Sequence, residues 1–168
     1  MKKIETERKY VILKPDINVL MSEAEFTISE IMQIYVADSE KTHRIRKRVY
    51  SDGRVEYTEN TKRRISKMSV IEGEEEISSE RFLELSLDIE PKTRPIEKTR
   101  MTFVRRGKVY EIDVYPEWQK CCILEVELES EDEVIEFPSF ISVVKEVTGM
   151  REYSNHSMAF SFPPEPEQ

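Results

Sequence analysis

The stretch Glu5-Thr6-Glu7-Arg8-Lys9 (ETERK), near the start of a 168-residue chain, governs how the rest is read. In an extended strand the side chains alternate. Glu5, Glu7 and Lys9 then share one face, with neighbours on that face about 7 Å apart. Two carboxylates and an ammonium on one strand face either look into water or await a cation and an anion. The remaining strands decide between these outcomes.

The chain has 34 acidic and 26 basic residues, a net charge of -8, and 36% of it is charged. That balance argues against general binding of nucleic acid or of an anionic membrane, although a local basic cluster can sit within acidic surroundings. No apolar run approaches the roughly 20 residues that a bilayer needs, and the first residues lack the apolar core of a signal peptide. The expected compartment is therefore the cytoplasm. One domain is expected over residues 1–162, with a disordered tail at 163–168 (PPEPEQ) that has nothing to bury. Cys121 and Cys122 are adjacent. They read as reduced thiols, since neighbours bridge only with strain and two thiols do not complete a zinc site.

Alternating segments dominate the chain. THRIRKRVY and RVEYTENTK flank Ser51-Asp52-Gly53, a strong hairpin signal, and EKTRMTFV and KVYEIDVY flank Arg105-Arg106-Gly107. With residues 2–13, 28–36, 69–77 and 122–129 the count reaches eight strands, enough for an antiparallel sheet to close into a barrel. The four glycines, Gly53, Gly73, Gly107 and Gly149, read as turn positions. Helices are expected after Pro15, over SSERFLELSL, at the Ser130–Glu133 capping box, and from Pro138 to a C-terminal cap at Gly149. The fold class is thus mainly β, α+β, an eight-stranded antiparallel closed barrel with flanking helices.

The strand faces carry the chemistry. Arg44, Arg46 and Arg48 share a face, as do Glu56, Thr58, Asn60 and Lys62, then Lys98 and Arg100, then Glu111 and Asp113. Glu125 and Glu127 oppose Leu124, Val126 and Leu128, and Glu74 pairs with Glu76. On a single strand such charge reads as the wet side of a half-buried sheet. Cations, however, concentrate on some strands and carboxylate pairs recur on others. An interior of that kind is costly when empty and sensible around divalent cations and a polyanion. Phosphate suits it: guanidinium forks and ammonium groups match phosphoryl oxygens, and carboxylates are the hard donors that magnesium and manganese take. There is no glycine-rich phosphate loop, and His43 and His156 read as surface or packing residues.

Together these residues resemble the triphosphate tunnel metalloenzymes, or CYTH domain. The likeness runs through ETERK, RIR at 44–46, TK at 61–62, EEE at 74–76, EKTR at 97–100, EID at 111–113, EVE at 125–127 and YSN at 153–155. It covers the chain up to about Phe162. The resemblance implies a hydrophilic barrel tunnel that binds a small triphosphate with Mg2+ or Mn2+. Family members hydrolyse tripolyphosphate, nucleoside triphosphates, thiamine triphosphate or RNA 5′-triphosphate ends, and some cyclise ATP. By position, Lys9, Arg44, Arg46, Lys62, Lys98 and Arg100 hold the triphosphate. Glu5, Glu7, Glu125 and Glu127 hold a first metal, and Glu74, Glu76 and Asp113 a second metal or its waters. Lys9, Lys98 and Glu74 are the candidates for the chemistry itself. The chain departs from the family at Glu72, where several members carry a basic residue, and at His156, where some carry lysine. The expected function is metal-dependent hydrolysis of tripolyphosphate or a related small triphosphate. ATP cyclisation and a non-catalytic polyphosphate- or nucleotide-binding module are the alternatives. The expected partner is a small triphosphate rather than nucleic acid or membrane, and a homodimer stays open.

Overall fold

A computed structural model describes residues 2–168. The strands are β1 (Lys2–Leu13), β2 (Phe26–Val36), β3 (Thr42–Tyr50), β4 (Val55–Arg64), β5 (Ser69–Glu76), β6 (Ile96–Arg105), β7 (Lys108–Val114), β8 (Cys121–Leu128) and a short β9 (Val143–Glu146). Antiparallel pairing runs β5-β4-β3-β2-β6-β7-β8-β1, and β5 pairs back onto β1. The result is an eight-stranded closed barrel. Closure leaves no open edge among its strands, which removes the usual hazard of a free sheet edge. β1 closes it by sharing one edge between two partners. Its first half, from Lys2 to Thr6, pairs with β5, and its end, from Tyr10 to Ile12, pairs with β9. Both tight hairpins form where the glycines fall, with φ of +88° at Gly53 and +76° at Gly107. Those are backbone conformations that a Cβ resists.

The barrel has its apolar layer outside and its charge inside. Tyr10, Ile12, Phe103, Ile112, Leu124 and Val126 point outward and are buried under Leu20 of α1 (Ile17–Glu23) and Ile141 of the loop before β9. On the other flank α2 (Ser79–Ser86) seats Phe82 against Ile34, Val36 and Ile45. Both helices start at a side-chain cap: Asp16 accepts from the Asn18 amide and Ser78 from the Arg81 amide. Inside, charge gives way at one end to Val11, Tyr35, Ile96 and Ile123, which pack with Tyr153, Met158 and Ala159. The segment holding a 3-10 turn (Arg151–Tyr153) and α3 (Asn155–Phe160) therefore covers that end. Among the described residues no helix is long and apolar enough to cross a membrane.

Four local expectations are corrected. Residues 138–149 form no helix: Val143 and Val144 extend as β9, because β1 offers an unpaired edge that a β-branched run can fill. The Ser130–Glu133 box makes a turn, with the Glu133 carboxylate accepting from the Glu129 amide and pairing with Lys108. Gly73 lies inside β5, opposite Lys2 and Thr61, rather than in a turn. Gly149, at φ +70°, is no helix cap but brings its backbone against Lys67, where a Cβ would meet the lysine side chain at 2.2 Å. Residues 163–168 run along the barrel: the Trp118 indole donates to the Pro163 carbonyl, and the Cys121 amide donates to Glu165 at 2.7 Å. Cys121 and Cys122 are free and buried.

Candidate active site: a charged tunnel

Period-two alternation fixes which side chains enter the barrel. It places Glu5, Glu7 and Lys9 inside, with Arg44, Arg46, Arg48 and Lys62 from β3 and β4, and they line a tunnel of about 690 Å³. The register then makes neighbours. Lys9 lies opposite Glu125 and Glu7 opposite Glu127, Glu111 opposite Glu125, and Arg100 opposite Asp113.

In the wall made by β6, β7, β8 and β1, the cations Lys9, Lys98 and Arg100 are each paired with a carboxylate. Asp113 is fully buried; Arg100 donates to it through Nε and Nη2 and Lys98 through Nζ, all at 2.7 Å. The third guanidinium nitrogen of Arg100 reaches Glu111 at 2.7 Å. Against the penalty of burial, Arg100 and Lys98 hold Asp113 well below the usual carboxylate range. Burial, with Arg100 nearby, pulls the Lys98 ammonium down to about 7. Lys9 pairs with Glu125 at 3.2 Å and donates to the Tyr153 carbonyl at 3.2 Å. Against its own burial, Glu125 is held down to about 2 by Lys9 and Arg100.

The wall made by β3, β4 and β5 is open by comparison. Arg44 is buried, and its Nε has no partner. Arg46 also leaves Nε without a partner and makes only a 3.5 Å contact to the Gln33 amide oxygen. Burial first, then Arg44 and Arg100, drive the Arg46 guanidinium down to about 10. No carboxylate pairs with Arg46 among the described residues. Lys62 Nζ lies 3.6 Å from Glu5 and 3.9 Å from Glu72. Glu72 faces inward, only 4% exposed, beside Asn60 and 4.0 Å from Arg44.

The sequence-derived carboxylates separate in position. Burial and Glu72 push Glu5 up to about 8, and burial and Glu125 push Glu7 up to about 7. Glu127 is raised by burial and by Glu111. Glu74 sits exposed at the lining, whereas Glu76 is exposed and outside it. Asp113 is enclosed by its cations, behind the tunnel surface. The structure therefore brings together Glu5, Glu7, Glu125 and Glu127, and leaves Glu76 and Asp113 apart from them. Among the described residues no three acidic, histidine or cysteine side chains converge as a formed metal cage. Arg48 and Glu111 were read on charged faces without a site role, and the alternation that located their neighbours brings both to the lining. Asn155, from the YSN stretch, also lines the tunnel, and Thr148 does so with no signal in the sequence. His43 points outward to Glu59 at 2.7 Å, and His156 lies at the mouth, 2.7 Å from Glu90.

A closed eight-stranded barrel with this ordered interior of carboxylates and cations is a tunnel protein, and its likeness to solved structures supports the triphosphate tunnel, or CYTH, family. It is similar to the inorganic triphosphatase NE1496, at 27% identity over 96% of this chain and 97% of that one, with a TM-score of 0.59. The PH1012 protein from Pyrococcus horikoshii OT3 shares the fold at 18% identity and a TM-score of 0.55, over 76% of this chain and 80% of its own. PH1819 from the same organism does so at 20% and 0.56, over 73% and 77%. No family model matches the chain, and neither does any curated protein.

Proposed function

We propose that this protein is a divalent-metal-dependent hydrolase of tripolyphosphate or a related small triphosphate. Arg46 carries the reading. A half-buried guanidinium with its Nε buried and unpartnered, without a carboxylate and with its proton affinity lowered, is a cation prepared for an anion that the chain does not itself supply. Arg44, Lys62 and Arg48 lie along the same wall, so the favoured anion is extended and multiply charged. The likeness to an inorganic triphosphatase supports hydrolysis of a phosphoanhydride.

The carboxylate side fits a hard divalent cation. Glu5, Glu7 and Glu127 are oxygen donors whose ionisation is opposed by burial and mutual repulsion, and a cation removes that opposition. Those three, with Glu125, would hold Mg2+ or Mn2+. The ion would supply Lewis acidity, neutralising phosphoryl charge and polarising water. The chain's own residues do the remaining work. Arg44, Arg46 and Lys62 bind and align the phosphoryl groups, while Asp113 fixes Lys98 and Arg100 so that they do not reorganise. The Lys98 ammonium, at the tunnel lining, would stabilise the charge that develops on a departing phosphate oxygen.

The test is incubation of pure protein with tripolyphosphate, ATP and thiamine triphosphate, with Mg2+, with Mn2+ and with a chelator. Orthophosphate release that depends on the metal is the expected result. Cyclic AMP with pyrophosphate from ATP would assign cyclisation instead, and binding without turnover would assign a non-catalytic module.

A further inference from the structure

The open wall contains one carboxylate that the hydrolysis scheme does not use. β5 sets Glu72 directly opposite Lys62 in the register, with its side chain turned into the tunnel. One carboxylate oxygen accepts from Asn60 Nδ2 and lies 3.9 Å from Lys62 Nζ and 4.0 Å from Arg44 Nη2. The other oxygen is buried and receives no hydrogen bond from a cation or amide, with the Glu5 carboxyl as its acidic neighbour. Asn60 is itself 1% exposed and leaves its own Oδ1 unpartnered. This is not a surface charge that happens to lean inward. It is an anion built into the cationic wall, against two of the cations that the proposed function assigns to phosphate.

We propose that Glu72 is a specificity-determining residue: its carboxylate competes with phosphoryl groups for Arg44 and Lys62, and so limits the length of polyphosphate that the tunnel accepts. This rests on the polyanion reading above. Along β3 the cations follow in the order Arg44, Arg46, Arg48, and Glu72 stands beside the first of them only. Pyrophosphate can engage Arg46 and Arg48 without meeting Glu72, whereas tripolyphosphate reaches Arg44 and Lys62 beside it. A longer one must extend past Arg46 and bring its charge against a fixed carboxylate. At such separations, in a partly dehydrated tunnel, like charges repel strongly and salt screens them little. Glu72 therefore penalises the added phosphoryl group and leaves the shorter chain untouched.

The experiment is calorimetric titration of pyrophosphate, tripolyphosphate and tetrapolyphosphate into wild type and Glu72→Gln, which keeps the shape and the Asn60 contact. The expected result for the variant is a gain that grows with length, small for pyrophosphate and tenfold or more for tetrapolyphosphate. Wild type gives a second reading that does not depend on the variant folding: its affinity should level off as the chain lengthens. An equal gain at all three lengths, or no gain, overturns the inference, as does wild-type affinity that climbs by the same factor with each phosphoryl group. If wild type binds none of the three, with or without Mg2+, the polyanion reading falls and takes this inference with it.

Discussion

Two walls of one tunnel carry the same residue types and use them differently. On β6, β7, β8 and β1 the cations are matched by carboxylates at 2.7 to 3.2 Å, and each nitrogen of Arg100 is engaged. On β3, β4 and β5 the nearest ion pairs are 3.6 to 4.0 Å apart, and buried nitrogens of Arg44 and Arg46 have no partner. Buried charge is tolerated only when it is paired. The Lys98–Asp113–Arg100 set is satisfied by the fold itself, so it can serve as scaffold, whereas Glu7 and Glu127 of the same wall have no cation of their own. The open wall is satisfied only by something from outside. What separates scaffold from binding surface here is therefore the state of pairing, not the kind of residue.

That contrast can be broken or sharpened by substitution. The largest effect is expected at Asp113→Ala, which strands Lys98 and Arg100 in a dry setting. Removing one partner of a buried ion pair costs about 3–5 kcal/mol of stability, and a urea melt measures it. A loss below about 1 kcal/mol would show that this set is wetter than its geometry implies. Next comes Glu7→Gln on the carboxylate side, opposite Glu127 in the register. It should leave folding intact and raise the Mg2+ concentration for half-maximal binding by roughly tenfold or more, since ligand-shell changes have effects of that order. A titration of protein-bound Mn2+ checks this independently of turnover. The smallest effect is expected at His43→Ala, one residue from Arg44 but outside the barrel and paired with Glu59. A pair of that kind is worth under about 1 kcal/mol, and polyphosphate affinity should not move. A change in affinity there would mean that alternation does not separate inside from outside.

Alternation is why so much was legible. β7 and β8 set Glu111, Asp113, Glu125 and Glu127 against the apolar Tyr110, Ile112, Leu124 and Val126, and spacing alone grouped Glu5 with Glu7, Arg44 with Arg46 and Lys98 with Arg100 on shared faces. What the spacing did not reveal depends on partners distant in the chain. Residues 143–146 carry β-branched side chains on a stripe that also suits a helix, and only the free edge of β1 selects the strand. Ser130 and Glu133 have the capping pattern, but Lys108 takes the glutamate and no helix follows. Inside the tunnel, the sequence showed that Asp113 shares a face with Glu111, yet not that two cations would enclose it. Likewise Glu72 was readable as an inward position, whereas its contacts with Asn60, Arg44 and Lys62 needed three strands in register.

If the open wall is the polyanion site, Arg46 shows it most directly, because it has no carboxylate to lose. Tripolyphosphate is titrated calorimetrically into wild type and Arg46→Ala, with the melting temperature of each recorded in the same buffer. A charge-assisted contact contributes about 1.5–3 kcal/mol, so affinity should fall roughly ten- to a hundredfold. The melting temperature should hold or rise, because an unpaired buried cation has been removed. Unchanged affinity together with a lower melting temperature would contradict the account and make Arg46 part of the scaffold.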